Sequence, residues 1–162
     1  MDFNKIWNAL SSGGKIAGIS GIVLLINIFL PWYGFSAGGF SANINAFDAG
    51  FLAWGGSVFA IAGAVLILIG EIGESKIKLG ALEGPQIGLL LAALGALLVV
   101  LRFLTETSLT RFGLFLGILA SIAVVAGGYM SLKDSGVGLP TSDDFKSIGG
   151  GGDDSPPPPP PA

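Results

Sequence analysis

Apolar positions dominate four stretches of the chain, about residues 16–30, 50–70, 85–104 and 109–132, and polar side chains inside them are rare. Each stretch is close to the roughly 20 residues that a helix needs to cross a bilayer core. Within lipid the backbone must satisfy its own hydrogen bonds, so each has to be a helix. The pattern therefore predicts an all-α membrane protein, a bundle of four transmembrane helices over residues 15–132. Between the first two stretches the period changes. Phe40, Ala42, Ile44 and Ala46 alternate with Ser41, Asn43 and Asn45, which is a strand signature. Gly38-Gly39 suits a two-residue turn, so a small β-hairpin is expected in this first outer loop. Its apolar face has two readings, packing on the helix ends or outward recognition. Asp48 is expected to cap the second helix.

The flanks follow other patterns. In residues 1–14, Phe3, Ile6, Trp7 and Leu10 recur at helical spacing with Asn4, Lys5 and Asn8 between them. That suits a short amphipathic helix lying in the membrane interface, hinged to the first span by Ser11-Ser12-Gly13-Gly14. Residues 71–83 mix acids with Lys76 and Lys78 and are expected to be a solvated connector. Residues 133–162 form a Gly/Asp/Pro-rich cytoplasmic tail with too few apolar residues to order itself. Its run Pro156–Pro161 is expected to be a polyproline II rod on a glycine leash, with no flanking cation to orient it on a receptor.

Charge sets the orientation. The lysines fall before the first stretch (Lys5, Lys15), between the second and third (Lys76, Lys78) and after the fourth (Lys133, Lys146), and the loop 31–50 has none. The positive-inside rule then places both termini in the cytoplasm of a multi-pass protein of the cell (plasma) membrane. Arg102 and Arg111 flank the short second outer turn. With Trp7, Trp32 and Tyr33 they are expected to be interface anchors, Arg102 snorkelling or pairing with Glu106. Lys5 and Lys15 also precede an apolar run of signal-peptide length. The stretch Phe35-Ser36-Ala37-Gly38 is a poor cleavage site, so retention of the first helix is expected; cleavage would leave three spans in the same orientation.

Composition narrows the chemistry. Of the 162 residues 51% are hydrophobic and 12% charged, about half the charged share of a soluble domain. The mean hydropathy is +0.76. Cys and His are absent, which removes thiol chemistry, disulfides, haem ligation and most zinc sites. No metal, cofactor or catalytic residue is assigned, and no basic cluster points to nucleic acid. Acidic or basic residues at mid-membrane depth, which proton-coupled carriers use, are lacking. The intramembrane polar residue that stands out is Asn27, with Ser57 and Ser121 besides.

Small residues recur every four positions: Gly56, Ala60 and Ala64; Gly84, Gly88, Ala92 and Ala96; Gly113, Gly117 and Ser121; and the shorter pair Ala17 and Gly21. Such stripes let helix backbones approach closely in lipid. They serve either one compact bundle or a homo-oligomer.

The run Phe29-Leu30-Pro31-Trp32-Tyr33, the Gly/Ser-rich loop after it and Asn45-Ala46-Phe47-Asp48-Ala49-Gly50 leading into the second helix resemble a group of uncharacterised small actinobacterial membrane proteins. These have four predicted helices, a Pro-Trp-Tyr first outer loop and, in many, a disordered tail. The resemblance covers about residues 15–132 and implies a compartment without an activity. In architecture alone the chain is also similar to claudin-like proteins, whose Trp and Cys pattern it lacks. The expected function is non-enzymatic: a structural or interaction protein of the cell envelope, meeting the lipid bilayer on its flanks and protein partners through the outer loop or the proline-rich tail. The alternative is an oligomeric pore or transporter subunit. An embedded enzyme would need carboxylates such as Glu71 and Glu74, which look like solvated charges.

Overall fold

A computed structural model describes residues 2–73 and 77–149. The expected positions Glu74, Lys76 and the whole Pro156–Pro161 run lie outside the described residues. A short helix α1 (Phe3–Ala9) leads into α2 (Ser12–Asn27), followed by a hairpin of β1 (Tyr33–Ala37) and β2 (Phe40–Ile44). Then come α3 (Phe51–Ile72), a two-rung hairpin β3 (Lys78–Leu79) and β4 (Leu82–Glu83), α4 (Gly84–Thr105), α5 (Phe112–Ser135) and α6 (Ser142–Gly149). Helices α3, α4 and α5 are each long and apolar enough to cross a membrane; α2 is apolar and shorter, at 16 residues.

The long helices pack antiparallel in a ring, each against its neighbours in the chain, with α5 closing back on α2. Glycines set the closeness. A Cβ on Gly63 would lie 2.5 Å from the Gly88 carbonyl oxygen, and one on Gly56 would lie 2.9 Å from the Gly95 oxygen. On the other seam a Cβ on Gly127 would meet the Gly13 oxygen at 2.7 Å. These glycines recur every seven residues: Gly56, Gly63 and Gly70 on α3, Gly88 and Gly95 on α4. A seven-residue period keeps one seam facing the partner helix along its length. The core between the helices is accordingly small-residue and aliphatic, with Ala17, Leu24, Ala60, Ile67, Ala92 and Val124 all buried.

The outward faces are equally apolar. Ile22 on α2 is 62% exposed, Leu97 on α4 is 54% and Leu119 on α5 is 67%. A water-soluble bundle would place such residues inside and charges outside.

Several boundaries differ from the sequence expectation. Ser11-Ser12-Gly13-Gly14 is no hinge: α2 begins at Ser12 because the Ser11 hydroxyl accepts from the Gly14 N–H at 3.0 Å. The Glu71 carboxylate in turn accepts from the Ser11 N–H at 2.9 Å and from its hydroxyl at 2.6 Å. This ties the start of α2 to the end of α3 and fills the space beside Gly14, where a Cβ would collide with the carboxylate. Asp48 does not cap α3. The N-cap position is Gly50, and the preceding turn is held by the Asn45 side chain, which accepts from Phe47 N–H and Asp48 N–H. The connector after α3 forms the β3–β4 hairpin, its rung closed by Lys78 and Glu83 at 3.9 Å.

The tail expected to be unstructured from residue 133 is ordered through its first half. Helix α5 runs to Ser135 and stops at Gly136 in the left-handed conformation. Helix α6 then forms because Asp144 accepts from both the N–H and the hydroxyl of Thr141, at 2.8 and 2.9 Å, across its first turn. It lies against the β3–β4 turn, where the Ala81 N–H donates to the Ser147 hydroxyl. Phe145, half exposed, edges an open groove between α4 and α5 together with Leu139 and Pro140.

Candidate functional site

The hairpin end of the bundle holds the most distinctive arrangement. Pro31 ends the turn after α2, and the chain is then clamped onto the start of α5. Gly113 N–H donates to the Pro31 oxygen at 3.1 Å and Arg111 N–H to the Trp32 oxygen at 2.8 Å. Trp32, expected in an interfacial belt, is fully buried instead. Its indole N–H donates to the Asn27 carbonyl at 2.9 Å, and its ring fills the space left by Gly117. An indole has one polar atom to satisfy, and once that is bonded its large ring is core material. Tyr33 is likewise buried at 3% exposure. Its hydroxyl lies 3.4 Å from the Arg102 carbonyl, and burial pushes the phenol above its ordinary pKa of 10.0 against the opposing pull of Arg102.

Arg102 neither snorkels freely nor pairs with Glu106. Its guanidinium lies over the Tyr33 ring, 4.9 Å from the centroid, while Glu106 accepts from the Ser108 N–H. The belt at this end is built from other aromatics. Phe29, Phe47, Phe51 and Trp54 form a chain of ring contacts with centroids 5.2–6.4 Å apart. Phe29, Phe47 and Phe51 are about half or more exposed. At the opposite end Trp7 is half-buried, with Lys15 5.7 Å above its ring.

The hairpin stands on this base. Gly38 and Gly39, at φ 57° and 83°, make the tight turn, and the register pairs Tyr33 with Ile44, Phe35 with Ala42 and Ala37 with Phe40. Those six residues share one face. Gly34, Ser36, Ser41 and Asn43 share the other, where Arg111 reaches over Gly34 and donates to the Ser36 hydroxyl at 3.1 Å. The edge of β1 is covered, since Gly34 N–H donates to the Leu109 oxygen and Tyr33 bridges to Thr110. Beyond Tyr33 the apolar face is uncovered. Phe40 is 82% exposed and Phe35 51%, and every residue of β2 is exposed. Packing of the strand face on the helix ends is thus confined to its foot, at Tyr33.

The other expected positions lie in the bundle interior. Asn27 is fully buried, and neither side-chain atom has a hydrogen-bond partner among the described residues, so it makes no bond across helices. Ser57 and Ser121 bond carbonyls of their own helices, Ala53 and Ile118. Gly56, Ala60, Ala64, Gly84, Gly88, Ala92, Ala96, Gly113, Gly117 and Ser121 are all buried. The structure brings Gly56 against Gly95 and Gly21 against Ala64. The tightest contacts add Gly13, Gly63, Gly95 and Gly127; of these Gly63 and Gly95 fall on the seven-residue spacing with Gly56 and Gly88.

Among the described residues no group of three or more acidic side chains is placed to hold a metal ion. Compared with family models, curated proteins and solved structures, the chain matches none. Its helices, apolar on their outward faces and long enough to cross a membrane, suggest an integral membrane protein.

Proposed function

We propose that this chain is a four-span integral membrane protein of the cell envelope, with both termini cytoplasmic, that works by contact and not by catalysis. The fourth span is α2. With the turn through Leu30 it is 19 residues long, about 28 Å at 1.5 Å per residue; the apolar part after Lys15 is 15 residues, about 22 Å, so Lys15 must snorkel for the span to match the bilayer core. Exposed Ile19, Ile22, Leu25 and Phe29 would face lipid along it. The lysine distribution supports the orientation.

The observation that carries the contact reading is the exposed apolar face of the hairpin. A two-stranded ribbon is marginal alone. Here one side is braced by Arg111 and the Leu109–Arg111 segment, while Phe35 and Phe40 project from the other. Exposed aromatics on a braced scaffold are the residue types that anchor protein partners. The glycine stripes face inward, which leaves them engaged within one chain and favours this reading over an oligomeric pore.

The test is to replace Phe35 and Phe40 together with serine and compare co-purifying envelope proteins with those of the parent. Loss of a stoichiometric partner, with membrane insertion unchanged, is expected. An unchanged set of co-purifying proteins would remove the basis of the contact reading.

A further inference from the structure

At the opposite end of the bundle, we propose that the groove between α1, α2 and α3 holds an anionic phospholipid of the surrounding bilayer. One acyl chain lies in the groove and the phosphate rests against Lys15 and Lys5. This rests on the membrane reading given above. The groove has a volume of about 330 Å³ and is lined by apolar side chains and glycine. Gly18 and Gly21 open it on the α2 side, Ala64 and Leu68 line it on α3, and Trp7 and Leu10 close its end. A second apolar cleft of about 370 Å³ shares Ile6, Val65, Leu68 and Ile72 with it. A third hollow, edged by Lys5 and Asp2, adjoins both through Ile6 and Ile72. Two apolar clefts that meet under a charged rim match a two-tailed lipid with one headgroup.

Length and charge choose the lipid. From Lys15 to Leu25 the α2 wall rises about 15 Å, half of the roughly 30 Å hydrocarbon core, which is the depth of one leaflet. Lys15 lies one turn before Gly18 and Ile19, on the groove-facing side, with its ammonium over Trp7. At the rim Lys5 and Lys15 are opposed by Asp2, while the Glu71 carboxylate is taken up by Ser11 and opens into a separate hollow with Gly70 and Pro85, which leaves one uncompensated positive charge on the groove side. One such charge near an anionic surface predicts about a fivefold preference for an anionic over a zwitterionic headgroup.

The test uses the full chain in bilayer nanodiscs of equal phosphatidylglycerol and phosphatidylcholine, ejected and weighed by native mass spectrometry, after flotation with vesicles of the same lipids. The expected result is one retained phosphatidylglycerol per chain at about fivefold preference. The preference should vanish in Lys5→Gln/Lys15→Gln. Retention of either lipid should fall in Gly18→Leu, which fills the groove from a position where a Cβ meets Leu68 only at 3.4 Å. Equal retention of the two lipids, a preference that survives the double substitution, or a lipid-free dimer with a second copy in the groove would overturn the site and leave the membrane reading standing. A chain that does not float with the vesicles would overturn both.

Discussion

Asn27 is the residue where composition and environment disagree most. A fully buried amide with neither atom bonded carries a desolvation cost of about 1–3 kcal/mol. Leucine has nearly the same shape and no polar atoms. Asn27→Leu is therefore expected to raise stability by about 1 kcal/mol, read as the unfolding midpoint of the purified protein in detergent. A loss of similar size would mean that Asn27 bonds a partner, such as an internal water. Gly95 is the opposite case, a residue chosen for what it lacks. A Cβ there would meet the Gly56 oxygen at 2.5 Å and press on the Ala60 amide, both of them backbone that cannot turn aside. Gly95→Ala should lower stability by about 1–3 kcal/mol in the same assay, because α3 and α4 must separate to admit it. The sequence marks Asn27 as a polar exception but gives no sign that it would be unbonded. Trp32 and Tyr33 read as belt residues by position; burial under the hairpin made them core, because the clamp of Arg111 and Gly113 on the preceding chain draws them inward.

At the scale of elements, the three long apolar helices, the shorter apolar α2 and the first hairpin were legible because each has one dominant period. Apolar stretches of about 20 residues and the Phe40–Ala46 alternation are signals carried within the segment itself. What the sequence hid are features made by partners distant in the chain. Helix α2 starts at Ser12 because Glu71, sixty residues on, holds Ser11. Helix α6 is hard to read in the sequence because its surroundings are rich in Gly and Asp, yet eight residues form a helix with a bonded first turn and a contact to the β3–β4 turn through Ser147. The spacing of four marks the small, buried faces, and on α3 and α4 the glycines spaced by seven, Gly56, Gly63, Gly88 and Gly95, lie where the backbones meet. Helix α6 also carries a pH signature. Hydrogen bonds from Thr141 hold the Asp144 carboxyl below its ordinary value of 3.8. A depressed carboxylate stabilises the folded state above its unfolded pKa and loses that contribution as pH falls through the folded value. Helix α6 should therefore persist at pH 5 and fray only well below pH 4, followed by amide exchange at residues 142–149. Fraying that begins at pH 5 or above would contradict the cap.

The whole molecule is a bundle whose interior is packed by glycine and alanine and whose exterior is apolar. That distribution suits lipid as the solvent, and the aromatic ring chain lies near one end of the bundle while Lys5, Lys15 and Trp7 lie near the other. The proposed fourth span is the decisive one, because α2 is the shortest of the bundle helices and decides which side of the membrane the chain begins on. The chain has no cysteine, so single cysteines can report topology without a background. The direct measurement is labelling of intact cells by a membrane-impermeant maleimide at Asn8→Cys, Ser41→Cys and Asp143→Cys, repeated after permeabilisation. Four spans predict that Ser41→Cys labels in intact cells, while Asn8→Cys and Asp143→Cys label only once the membrane is opened. Labelling of Asn8→Cys together with Ser41→Cys in intact cells would put the start of the chain on the hairpin side, leave three spans, and contradict the account.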